Sequence, residues 1–233
     1  TLANLRAADL ATVLQDLPPK RRVEVAGALA DERLADVLEE MDENARVSLL
    51  AELEGERAAD VLGEMDPDDA ADLLREIGQE RAEALIELME PDDAEDVLRL
   101  MNYEDYSAGG MMTTEPIVMS ADYSVADALA AVRQQEISPA LASQIFIARQ
   151  PLETPTGRFI GTVHYQRLLR EPPSTLLGSI VDTHSRGVTP DASLHEVSSH
   201  LASYNMLSLP VVDANNRLLG AITVDDVLDH LLP

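Results

Sequence analysis

Met65-Asp66-Pro67-Asp68-Asp69-Ala70-Ala71-Asp72-Leu73-Leu74 returns 24 residues later as Met89-Glu90-Pro91-Asp92-Asp93-Ala94-Glu95-Asp96-Val97-Leu98. Stepping back by the same interval, Met41-Asp42-Glu43-Asn44 and Leu17-Pro18-Pro19-Lys20 open weaker copies. A second motif keeps the period: Ala11-Thr12-Val13-Leu14, Ala35-Asp36-Val37-Leu38 and Ala59-Asp60-Val61-Leu62. Such a repeat suits two short helices joined by tight turns. Each unit has an apolar stripe that only its neighbours cover, so the copies stack into a superhelix. Asp66 is predicted as an N-cap, Pro67 as the first helical residue, and Asp68 and Asp69 as first-turn carboxylates favoured by the helix dipole. Gly55 and Gly78 are predicted to end helices. The array is expected to fill residues 1–101, with 102–112 as a linker in which Gly109-Gly110 is a flexible junction.

From Thr113 the period changes. Ile117-Val118-Met119 reads as a short strand, and Ser124 with Asp127 as a capping box opening a helix through Gln135. Gln144 to Ala148 is predicted as a buried strand, with Phe159 to Val163 as its neighbour. After Glu171-Pro172-Pro173 the order repeats. Ser193 and Glu196 cap a helix to about Tyr204, Leu209 to Val212 is a strand, Asn215-Asn216 a turn, Leu218 to Thr223 a strand, and Val224 to Leu232 a helix. The fold class expected is an all-α superhelical repeat domain followed by two α/β units, residues 113–174 and 175–233.

Composition narrows the function classes. The 233 residues include 43 acidic and 17 basic side chains, and Lys20 is the one lysine. Residues 1–115 hold 31 acids and 10 bases, against 12 and 7 in residues 116–233. A surface this negative repels phosphate backbones, so nucleic acid is not an expected partner; it attracts cations. The chain has no Cys, which removes thiolate metal sites and disulfides. No stretch approaches the roughly 20 apolar residues of a membrane-spanning helix. Because it begins at Thr1, the chain is read as a fragment of a longer protein.

The duplicated helix-strand-turn-strand-helix order resembles a tandem CBS pair. Its strongest signature is Leu209-Pro210-Val211-Val212-Asp213 followed by Leu218-Leu219-Gly220-Ala221-Ile222-Thr223-Val224-Asp225-Asp226-Val227-Leu228. The junction Tyr103-Glu104-Asp105-Tyr106-Ser107-Ala108-Gly109-Gly110-Met111-Met112-Thr113 resembles the link between the helical N domain and the CBS pair in the MgtE family of magnesium transporters and channels. That resemblance covers essentially the whole chain. It implies a cytosolic regulatory module, not an enzyme, in which Mg²⁺ bridges acidic faces of the N domain and the CBS pair and holds a gate closed. It also implies a homodimer through the CBS domains and a membrane pore domain in the same or another chain. Soluble relatives without a membrane part resemble the sequence too.

Carried over by position, Asp68 and Asp72 match the acidic pair of the family's N domain, and Asp92 with Asp96 repeats the spacing. Asp226 and Asp229 match acidic positions on the last CBS helix. Asn205 departs from the pattern, standing where the family often has Asp. Each candidate has a plainer reading. Asp68 and Asp92 sit where helix starts favour carboxylates, and Thr223-x-x-Asp226 is a capping box. The same Thr223 and Asp226 also resemble the adenosine ribose site of CBS domains, making an adenine nucleotide the second cofactor reading. The first copy has His164-Tyr165-Gln166-Arg167 there and lacks the carboxylate. A basic protein partner in the solenoid groove is the third. No Ser/His/Asp or Cys/His constellation is present, and the histidines show no i, i+4 pairing of the kind that holds zinc.

Overall fold

A computed structural model describes residues 5–134 and 137–231. The chain divides into two units, Thr1–Met101 and Asn102–Pro233.

The first unit carries α1 (Ala7–Gln15), α2 (Pro19–Ala26), α3 (Asp31–Glu39), α4 (Glu43–Ala51), α5 (Gly55–Gly63), α6 (Pro67–Glu76), α7 (Gln79–Ile86) and α8 (Pro91–Leu100). The odd helices begin 24 residues apart, as do the even ones, and each packs on the next of its own series. The period is therefore realised as two ladders of stacked helices. Repeat-related side chains form the spine: Leu14, Leu38 and Leu62 are fully buried, and Met41, Met65 and Met89 close the turns behind them. In the last copy Leu98 is exposed although its counterparts Leu50 and Leu74 are buried. Across α4 and α6 the guanidinium of Arg46 grips both oxygens of Glu76, a pair largely withdrawn from water.

Two local expectations fail here. Gly55 opens α5 instead of ending α4. Asp66 occupies the N-cap position of α6 without a side-chain cap; its own backbone N–H donates to Glu39 Oε1 at 2.8 Å. Gly78 lies between α6 and α7 at φ 87°, a conformation that favours glycine.

The second unit holds β1 (Val118–Met119), α9 (Val125–Ala131), β2 (Gln144–Ala148), β3 (Phe159–His164), α10 (Tyr165–Leu168), α11 (Leu194–Tyr204), β4 (Ser208–Val212), β5 (Leu218–Thr223) and α12 (Val224–Leu231). β1 runs parallel to β2, β2 antiparallel to β3, and β4 antiparallel to β5. Helix α9 ends at Ala131, earlier than expected; Gln135 and Leu232 lie outside the described residues. Every residue of β2 is buried because its two faces meet different partners. Ile145 and Ile147 pack with Val125, Val163 and Leu168, whereas Phe146 packs with Phe159, Val212 and Leu218. This is the alternation a strand imposes.

The two α/β copies of the second unit exchange their lead-in segments. Thr113 pairs with Ala221 of β5, and Asp182 pairs with Thr162 of β3. Glycine permits both crossings: a Cβ on Gly220 would lie 2.2 Å from Thr113 O, and one on Gly161 would lie 2.1 Å from Asp182 O. The segment read as a flexible linker is itself tied down. The N–H groups of Ala108 and Gly109 donate to the carbonyls of Ala192 and Pro190, and Met111 and Met112 are fully buried. Gly109 and Gly110 serve close packing, against the Tyr103 ring and the Glu104 carbonyl, rather than flexibility.

Candidate cation sites

The start of α6 gathers carboxylates because the repeat places Asp66, Asp68 and Asp69 around Pro67. Within that start the predicted pair divides. Asp68 is buried, whereas Asp72 is half-buried and ion-paired with Arg75 at 2.5 Å. The arginine's other arm donates to Leu100 O at 2.9 Å. One repeat on, Asp92 is exposed, while Asp96 makes the same i, i+3 pair with Arg99. The second carboxylate of each pair, Asp72 and Asp96, is thus partly neutralised by its own helix.

In the second unit, Asp226 and Thr223 form the capping box of α12. Thr223 N–H donates to Asp226 Oδ2 at 2.8 Å, and Asp226 N–H to Thr223 Oγ1 at 3.5 Å. Thr223 is buried, and Asp229 is exposed on the same helix. His230 Nδ1 lies 2.9 Å from Asp226 O, one turn back.

Sequence reasoning missed the tightest group. Glu39, at the end of α3, joins Asp66 and Asp69, each with one carboxylate oxygen within 4.8 Å of the others. Burial pushes the Glu39 carboxyl up to about 7; Asp66, Asp36 and Glu40 push the same way, and the Asp66 N–H opposes them. The donor set is all oxygen, which suits a hard cation that binds through few carboxylates and keeps its waters. The plainer role is also visible, since Glu39 satisfies the Asp66 N–H at the start of α6. The signal lay in the repeat register: 24 residues after Glu39 stands Gly63, and 24 after Asp69 stands Asp93. At Gly63 an added Cβ would meet Asp93 Oδ2 at 2.9 Å, so there the small residue makes room for the acid. The Asp93 carboxyl is also raised, chiefly by burial and then by Asp92, Glu90 and Asp96.

Residues 5–106 match the MgtE intracellular N domain, and residues 177–233 match the CBS domain. The magnesium transporter MgtE of Thermus thermophilus is 32% identical over 132 residues, covering 57% of this chain and 28% of that protein. The magnesium transporter MgtE of Enterococcus faecalis is 29% identical over 130 residues, with 56% and 28% covered. The chain thus spans under a third of those relatives' length. Among solved structures, the soluble part of a magnesium transporter superposes with a TM-score of 0.90 at 26% identity, covering 99% of this chain and 89% of that one. The cytosolic domain of the Mg²⁺ channel MgtE in complex with ATP gives 0.86 at 28% identity, covering 98% and 92%. No helix among the described residues is long and apolar enough to cross a membrane.

Proposed function

The chain belongs to the MgtE family through its intracellular N domain and the CBS pair behind it, and from that premise we propose that it is a cytosolic magnesium-sensing module. Carboxylates of both units, Asp68, Asp72, Asp92 and Asp96 in the first and Asp226 and Asp229 in the second, bind Mg²⁺ and couple the two units' arrangement to its concentration. The observation that carries the proposal is the uneven charge, 31 acids against 10 bases in residues 1–115. Carboxylates crowded at the start of α6 repel one another without a cation and are drawn together around one, so occupancy selects between arrangements. A pore in the same or another chain would receive the signal, and a homodimer through the CBS pair would hold the modules together. Mg²⁺ titration of thermal stability, against NaCl of equal ionic strength, tests the reading. A dissociation constant exceeded about 100-fold stabilises by about 2.7 kcal/mol, beyond what NaCl screening gives; equal shifts with both salts refute specific binding.

A second reading is an adenine nucleotide at Thr223 and Asp226, supported by the neighbour solved with ATP. The capping box already engages both residues, so Asp226→Ala should abolish nucleotide heats in calorimetry if the carboxylate also holds ribose.

A further inference from the structure

An open cavity of about 630 Å³ lies in the second unit at the turn end of its two hairpins. Arg149 follows β2, Arg158 precedes β3, and Arg186 lies in the loop ahead of Val188; all three line it. Arg167 pairs with Glu171 and Arg217 with Asp213, each at 2.8 Å. Residues 116–233 contain seven basic side chains, and three of the other five face this one cavity. Among the described residues none of the three forms an ion pair.

Two further features point to a ligand. The Ser185 hydroxyl, also in the lining, is buried with no hydrogen-bond partner among the described residues. Buried hydroxyls are almost always satisfied, so an orphan donor in a cavity wall calls for an acceptor. The walls are also held firmly. Phe159 N–H donates to Asn216 O at 2.8 Å, and Asn216 Nδ2 donates back to Phe159 O at 2.9 Å. Both hairpins shift register at this end, between Ile147 and Ala148 and between Val211 and Val212. Such bulges re-aim side chains beside binding sites.

We propose that this cavity binds a phosphate-bearing anion, its phosphate oxygens held by Arg149, Arg158, Arg186 and the Ser185 hydroxyl. Guanidinium groups match phosphate oxygens in paired, charge-assisted hydrogen bonds. Phe159 supplies an apolar flank for an organic portion. The cavity is separate from Thr223 and Asp226. Asn216 stands just before β5 and Thr223 ends it, and five strand steps span roughly 17 Å.

Calorimetry on the whole chain in Mg²⁺-free buffer tests the site independently of magnesium sensing. The probes are tripolyphosphate and ATP, which share phosphate chemistry and differ in the nucleoside. Wild type should bind one equivalent of at least one probe. Arg149→Ala with Arg186→Ala should weaken it at least about tenfold, the scale of charge-assisted bonds, with an unchanged melting temperature because both side chains are exposed. Asp226→Ala should leave that binding intact. Tighter ATP than tripolyphosphate identifies an organic phosphate, and equal affinity an inorganic one; either supports the site. No heat with either probe, wild-type affinity in the arginine variant, or loss on Asp226→Ala alone overturns it.

Discussion

Replacing Glu39 by Gln removes the ionisation of this largely buried side chain at the end of α3. Its carboxyl moves from 4.5 in the unfolded chain to about 7 in the fold, chiefly through burial. The folded state therefore holds more protons than the unfolded state between those values. The contribution of Glu39 to stability is most favourable below about pH 4.5, falls as pH rises through the window, and carries the full cost above about pH 7. Two and a half pH units at about 1.4 kcal/mol each set a ceiling of about 3.5 kcal/mol, lowered by residual solvent contact. Gln keeps the oxygen that accepts the Asp66 N–H and removes the ionisation. Glu39→Gln should therefore stabilise the chain by about 1–3 kcal/mol at about pH 8 and by almost nothing at about pH 4. Guanidinium unfolding of both proteins across that range, in EDTA, reads the difference directly. A variant that is less stable at pH 8, or that keeps the wild-type pH slope, would refute the assignment of a raised carboxyl to Glu39.

Other perturbations have equally definite outcomes. Glu76→Gln weakens the carboxylate clamp on half-buried Arg46 and should cost about 2–4 kcal/mol in denaturant unfolding, as breaking a largely buried pair does. Ser193→Ala removes the hydroxyl that accepts Glu196 N–H at the start of α11 and should cost about 1 kcal/mol by thermal melting. Gly220→Ala drives a methyl into the Thr113 carbonyl; hydrogen exchange at the Thr113 and Ala221 amides should accelerate well beyond the global loss of stability.

Much of the fold could be read from the residues because a repeat and a duplicated order carry it. The 24-residue step set the starts of the even helices at Pro19, Glu43, Pro67 and Pro91, and short apolar runs in the duplicated second half marked β2 and β5. What escaped was tertiary. Gly55 looked like a helix end because glycine usually is one, yet packing starts α5 there. The Gly109-Gly110 pair suggests freedom, whereas its reason is the Tyr103 ring and Glu104 carbonyl pressed against it. The acids were visible as residue types, but not their partition. Asp72 and Asp96 spend charge on arginines one turn away, and Glu39 reaches Asp66 across 27 positions, a contact local spacing does not reveal. The arginine cavity escaped for the same reason: Arg149, Arg158 and Arg186 are scattered in sequence, and only the paired hairpins bring them together.

The central claim is that the carboxylates of α6 respond to Mg²⁺ specifically rather than as a diffuse negative surface. Small-angle scattering of wild type and the Asp68→Asn, Asp72→Asn variant decides it, each measured without divalent ion, with saturating Mg²⁺, and with NaCl at matched ionic strength. The account predicts that Mg²⁺ contracts the wild-type chain beyond NaCl, and that the variant is already contracted without the ion and barely responds to it. Identical curves for variant and wild type at both ends of the titration would contradict it.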